Sequence, residues 1–288
     1  PDQIRALTES LRETVGRDDA PILIDQEGGR VARLTPPQWR SAPPAKVFGD
    51  LALGDMEAAR RAAKINARLI AAELYDLGIN VDCAPVLDLS IPGAHDVIGD
   101  RSFGSDPDLV IVIARAFADG LMAGGVLPMI KHVPGHGRAM ADSHKELPTI
   151  NLPRAELETT DFAPFKGLSD MPLAMTAHIL FPQIDPERPA TVSPLIIEEI
   201  VRGYIGFEGL VVSDDVLASA EDVKNITGYT IGGVSPIGHL KKINILIDKS
   251  LNRFKTLFAA AGHPNCVFEI DFNNLQKITK GYTEEITE

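Results

Sequence analysis

Cysteine is scarce in this chain of 288 residues: only Cys83 and Cys266 occur. They lie far apart and fit no metal-ligand spacing, so a cysteine-based metal centre is excluded and two reduced, buried thiols are expected. Long apolar runs are missing too. None approaches the roughly 20 residues that a membrane-spanning helix needs. No basic start leads into an apolar stretch, so no signal peptide is visible, although the chain opens on Pro1 and not on Met. Positive charge is in deficit: 28 Lys and Arg stand against 40 Asp and Glu, a net charge of −12. That balance argues against general binding to nucleic acid or to a membrane surface. Reduced thiols and no visible leader make the cytoplasm the expected location. The rest is ordinary for a globular protein, 44% hydrophobic and 24% charged, in a length that suits one large domain or two modest ones.

The composition changes near residue 217. Residues 1–217 hold 15 Arg and 5 Lys, whereas residues 218–288 hold 1 Arg and 7 Lys. Asn goes from 3 to 6 across the same boundary. Acids exceed bases by 32 to 20 before it and match them, 8 to 8, after it. Two domains with different surfaces would give such a shift. Fusion of two unrelated coding sequences would also give it, and is the expectation adopted here.

Five short apolar runs read as buried parallel strands: Ile22–Asp25, Asn80–Ala84, Leu127–Lys131, Leu173–Ala177 and Leu210–Asp214. Helical patterns lie between several of them. Met56–Leu77 carries Ala, Ile and Leu at helical spacing and stops at Gly78. Asp106-Pro107 opens a second helix, with a capping acid and a first-turn proline, that ends at Gly124-Gly125. Asp161–Leu168 and Pro194–Arg202 are further candidates. This alternation is α/β. Each strand carries polar residues at or near its end: Asp25, Asp82 with Asp88 beyond it, Lys131-His132, His178 and Asp214. A (β/α)₈ barrel collects its active site in this way. An open doubly wound sheet would offer G-x-G-x-x-G after its first strand, and that motif is absent. Only five or six strands are legible, so an incomplete (β/α)₈ barrel is expected, followed by a small α/β C-terminal fragment.

Four segments could carry chemistry. Asp25 to Arg33 leaves the first strand with a carboxylate and a guanidinium, groups that suit a polyhydroxylated ligand; an internal ion pair is the other reading. Lys131-His132-Val133-Pro134-Gly135-His136-Gly137, followed by Asp142-Ser143-His144, is a histidine-rich loop. His-x₃-His and Asp-x-His leave a metal site open, but no HExxH and no second acidic cluster accompany them. The rival is a dyad in which Asp142 orients His144 as a general acid/base. Ser213-Asp214-Asp215 ends a strand in two carboxylates, one suited to attack on an anomeric carbon and one to capping a helix. Arg101, on a Gly-Asp-Arg-Ser loop, could reach a substrate hydroxyl or pair with Asp100.

Taken together, IDQEGGRVARL, NVDCAPVLDL, IGDRSFGSDP, IKHVPGHGRAMADSHKELP, MTAHILFPQID, PATVSP and VVSDD resemble glycoside hydrolase family 3, and within it the bacterial β-N-acetylglucosaminidases of cell-wall recycling. They cover residues 1–217 in the family's order. The resemblance implies Asp214 as nucleophile, His144 as acid/base and Asp142 as its partner. It implies sugar contacts from Asp25, Arg33, Arg101, Lys131 and His132, retention of configuration, and neither metal nor cofactor. The implied substrate is terminal β-linked GlcNAc, as in GlcNAc–anhydro-MurNAc peptides. Such enzymes start one strand earlier and continue past the SDD with a helix, a last strand and a closing helix. Residues 218–288 instead resemble the C-terminal half of YbaK-type and prolyl-tRNA-editing aminoacyl-tRNA deacylase domains, through GGVSPIG and GHPN. The half that holds that family's functional lysine is missing.

Three expectations follow: an exo-β-N-acetylglucosaminidase, an aminoacyl-tRNA deacylase acting through the C-terminal fragment with tRNA as partner, or an inactive chimeric chain. The first is preferred, with a saccharide as the only partner and no membrane.

Overall fold

In the computed structural model, residues 1–140, 147–214, 235–241, 245–263 and 266–284 are described. They fall into two compact units, 1–216 and 217–288.

The first unit opens with helix α1 (Asp2–Val15), closed by Gly16 in the left-handed region. Strand β1 (Leu23–Ile24) follows and leads into a hairpin of β2 (Gln26–Gly28) and β3 (Val31–Ala32). Helices α2 (Ala45–Ala52) and α3 (Met56–Asp76) then return the chain to β4 (Val81–Asp82). Helix α4 (Pro107–Ala123) connects to β5 (Leu127–Val133), and α5 (Arg154–Thr159) with α6 (Ala163–Gly167) connects to β6 (Leu173–Thr176). A π-helix at Ile196–Tyr204 precedes β7 (Leu210–Val212). The main sheet has the order β1-β4-β5-β6-β7, and every neighbouring pair is parallel. Neighbours in space are thus successive strands in the chain, each joined by a helical crossover. That is the winding of a (β/α)₈ barrel, here five strands of it.

Capping acids set where the two longest helices begin. The Asp55 carboxylate accepts from the Ala58 N–H (2.9 Å), and the Asp106 carboxylate accepts from the Asp108 N–H (2.9 Å). Pro107 gives up no useful hydrogen bond in the first turn of α4. Both helices stop at glycines with positive φ, Gly78 and Gly125. Ala59, Ala63, Ala67, Ile70, Ala71 and Leu74 bury one stripe of α3. These small residues let α4 approach closely: a Cβ on Gly120 would sit 2.3 Å from the Lys64 carbonyl oxygen. Ile70, Leu74, Ile113 and Leu121 are fully buried, at about 1.5–3 kcal/mol each.

The strands alternate faces. In β5, Ile130 joins the large cluster under the helices, while Met129 packs with Val81, Cys83 and Leu173 on the inner face. Lys131, two residues beyond Met129, is therefore delivered to the same inner face at the strand's C-terminal end. Cys83 is a free, buried thiol, and burial pushes its pKa up to about 12.

Two expected helices differ. The Asp161–Leu168 segment is helical only over Ala163–Gly167, because Phe162 closes the preceding turn by donating to the Leu157 carbonyl (2.8 Å). The Pro194–Arg202 segment is helical from Pro194, as expected, but from Ile196 it is a π-helix that runs on to Tyr204. Ile205 donates to the Ile200 carbonyl (2.8 Å), an i→i−5 bond that α-helical spacing does not anticipate.

In the second unit, β8 (Leu246–Asp248) pairs in parallel with β11 (Tyr282–Glu284), and β9 (Leu257–His263) pairs antiparallel with β10 (Cys266–Ile270). Helix α7 (Phe272–Thr279) is capped by Asp271, whose carboxylate accepts from the Asn274 N–H (3.0 Å). Ile247 and Phe272 are its buried apolar side chains among the described residues. No helix among the described residues is long and apolar enough to cross a membrane.

Candidate active site

The C-terminal ends of the parallel strands enclose a cavity of about 310 Å³. Asp25, Arg33, Arg101, Lys131, His132 and Asp214, six of the eight residues singled out in the sequence, line it together. The other two, Asp142 and His144, lie outside the described residues.

Lys131 has the most demanding environment. It is 2% exposed, and its Nζ contacts Asp25 Oδ1 at 2.8 Å and Glu27 Oε1 at 2.7 Å. A buried ammonium survives only when paired this closely. Burial works against its charge, yet Glu27 and Asp25 outweigh it and raise its pKa. Glu27 in turn takes both ends of the Arg101 guanidinium, at 2.8 Å each. Burial pushes Glu27 up, but Lys131 and Arg101 bring it below the usual carboxylate range. Arg33 reaches Asp25 Oδ2 at 3.1 Å. The result is one chain of alternating charges, Arg33–Asp25–Lys131–Glu27–Arg101. The pairing read as an alternative for Asp25 and Arg33 is real, and both still face the cavity. Arg101 is paired with Glu27, not with Asp100. Asp82, wholly buried behind this row, is raised well above its ordinary value, first by burial.

A second network stands beside it. Asp88 is wholly buried; its Oδ2 lies 2.6 Å from the ring Nδ1 of His132, and its carboxylate accepts from the His132 N–H (3.3 Å to Oδ2) and the His136 N–H (2.7 Å to Oδ1). The Lys131-His132 peptide is cis. His136 also lines the cavity. Burial, then the neighbouring His132, lowers its pKa to about 4, so it is neutral at pH 7. The His132 and His136 rings lie 5.6 Å apart.

Asp214 follows β7, and its N–H donates to Thr176 Oγ1 over 3.4 Å. Its charge is felt by His136 and His178, where it opposes the effect of burial. Val97, Ile98 and Met175 add an apolar wall. Sequence reasoning did not single out Glu27 for the site, and it named Asp88 beyond a strand end and His136 in the histidine-rich loop without giving either a role. Glu27 shares a face with Asp25 by strand alternation, and that signal was available. No group of three or more His, Cys, Asp or Glu able to hold a metal ion occurs among the described residues.

Five crossover-linked parallel strands that gather carboxylates, two arginines, a lysine and histidines at their C-terminal ends define the active-site face of an α/β barrel. The family model for the glycosyl hydrolase family 3 N terminal domain matches residues 2–230, and the chain belongs to that family. The model for the aminoacyl-tRNA editing domain matches residues 211–278. The beta-hexosaminidase of Bordetella avium is 37% identical over 223 residues, 77% of this chain and 63% of that protein. The beta-hexosaminidase of Alkalilimnicola ehrlichii is 41% identical over 218 residues, 75% of this chain and 62% of that one. The crystal structure of NagZ from Neisseria gonorrhoeae in complex with N-trifluoroacetyl-D-glucosamine is similar at 38% identity and a TM-score of 0.69, over 74% of this chain and 63% of that one. This chain therefore spans about 63% of the length of the relatives it matches.

Proposed function

We propose that the first unit is a retaining exo-β-N-acetylglucosaminidase that acts on terminal β-linked GlcNAc. One observation carries this reading: Asp214 shares a single cavity with the charged row of Asp25, Lys131 and Arg101. In this reading Asp214 attacks the anomeric carbon and forms a glycosyl-enzyme, while His144, oriented by Asp142, protonates the departing oxygen. His144 then takes a proton from the water that releases the sugar. Arg33, Arg101, Lys131 and His132 donate to the sugar's oxygens and Asp25 accepts from its hydroxyls. Muropeptides from cell-wall recycling are the natural substrate of this scheme. The similarity to enzymes named beta-hexosaminidase supports the sugar class.

The test is turnover of a chromogenic β-N-acetylglucosaminide by the full chain. Asp214→Ala should abolish it by about a thousandfold or more, and His144→Ala should reduce it strongly. Turnover that both variants preserve removes the mechanism. The match of residues 211–278 to the editing domain favours a second reading, deacylation of mischarged tRNA by the C-terminal fragment. Release of the amino acid from such a tRNA, unchanged by Asp214→Ala, would establish it.

A further inference from the structure

We infer that Asp88 is a positioning residue that fixes a proton on His132 Nδ1 and so presents Nε2 to the sugar. The sugar in this statement rests on the glycosidase reading; the position of the proton does not.

The geometry leaves little choice. Asp88 is wholly buried, and among the described residues every group within hydrogen-bond distance of its carboxylate is a nitrogen of His132 or His136. Two of these are backbone N–H groups, which only donate. An ionised carboxylate only accepts, so the third contact, from the ring at 2.6 Å, requires hydrogen on Nδ1. Burial opposes the carboxylate's charge, but His132 and His136 overcome it and hold Asp88 below the usual carboxylate range. His132 lines the cavity with Nδ1 already engaged, so Nε2 is the nitrogen left for a ligand. The same carboxylate grips the His136 N–H at 2.7 Å and thus ties the end of β5 to the loop beyond it. An amide cannot replace it. Whichever way it turns, its NH₂ group faces a donor, either the Nδ1–H or the backbone N–H groups. The ring's answer to an amide is to move its proton to Nε2, which changes what the sugar meets.

The experiment uses the full chain labelled with nitrogen-15, with the His132 signals assigned by their loss in His132→Gln. At neutral pH the wild-type imidazole should carry a proton on Nδ1, and in Asp88→Asn that proton should sit on Nε2. Kinetically, Asp88→Asn should raise KM for the chromogenic substrate about tenfold with kcat changed less than about threefold, the signature of lost binding. Added to His132→Gln, it should raise KM no further, because Asp88 acts through that ring. A bare Nδ1 in the wild-type chain, or additive effects in the double variant, overturns the proposal. If the wild-type chain shows no turnover, the glycosidase reading falls and the imidazole spectrum alone decides on Asp88. If Asp88→Asn does not fold, the wild-type spectrum decides.

Discussion

The two ends of the five-stranded sheet reverse the usual distribution of polar and apolar groups. At the C-terminal ends, Lys131 is 2% exposed and sits between the buried carboxylate of Glu27 and the partly buried one of Asp25. At the N-terminal ends, Leu23, Leu127 and Leu210 are 43%, 46% and 63% exposed. Leu23 and Leu127 both align with Val81 in the parallel register, and Leu127 shares the inner face of β5 with Met129 and Lys131. One face therefore carries charge in its interior at one end and leucine in solvent at the other. The charged end satisfies itself: every cation in the row has its acid within five strands. The leucine end has no such internal solution, since apolar groups are satisfied only by cover. Self-sufficient chemistry and incomplete packing can thus coexist in a single sheet.

The comparison predicts that the charged end is brittle. Glu27→Ala leaves the Arg101 guanidinium buried without its carboxylate and takes one of two acids from Lys131. Breaking a buried pair in this way costs about 3–5 kcal/mol. Denaturant unfolding of the wild-type and variant chains measures it. A loss below about 1 kcal/mol would mean that water already enters the charged row, and the contrast between the ends would disappear.

Acid should strain the same end. His136 has its pKa lowered from 6.5 to about 4 by burial and by His132. Between these values the unfolded chain binds a proton that the folded chain refuses. Stability is thus present above pH 6.5 and is lost as pH falls toward 4. At pH 4.5 the loss should reach about 2–3 kcal/mol relative to pH 7. His136→Gln should flatten this part of the stability profile. An unchanged slope in the variant would assign the acid sensitivity to other groups.

Close approach of backbone gives a smaller effect. A Cβ on Gly137 would lie 2.1 Å from the Leu89 carbonyl oxygen and 2.8 Å from its nitrogen, both main-chain atoms that cannot swing aside. Gly137→Ala should cost about 1–3 kcal/mol and draw the His136 N–H away from Asp88. A lower melting temperature with altered His136 resonances would show both. A neutral result would mean that the loop has freedom which the Asp88 contacts deny.

Much of this was legible where one physical signal sufficed. Short apolar runs ending in Asp25, Lys131-His132 and Asp214 located the strands and the cavity wall, because buried strands need apolar runs and barrel chemistry collects at their ends. Helix α3 was legible from its apolar spacing and its stop at Gly78, and α4 from the capping Asp106 with Pro107 behind it. Helices α1, α2 and α5 were not singled out; proline precedes each and no side chain makes a cap hydrogen bond. The helix from Pro194 was legible, but its π character was not, because that spacing differs from 3.6. Asp88 was legible as a polar residue beyond its strand, but its role escaped because its partners, two histidines, lie 44 and 48 residues away. A motif shows which residues are near in sequence, and a buried carboxylate is explained only by what is near in space.

The smallest effect probes the other end. Leu210 begins β7 at the sheet's edge and is 63% exposed, so replacing it removes little buried area. Leu210→Gln should change stability by no more than about 0.5 kcal/mol and leave ligand binding as it was, because the cavity lies at the opposite end of the strand. Its solution behaviour should change more. An exposed row of leucines favours association, so light scattering should report less self-association in the variant at equal concentration. A stability loss above about 1.5 kcal/mol would mean that Leu210 is covered in solution, and then the two ends of the sheet would differ in chemistry but not in completeness.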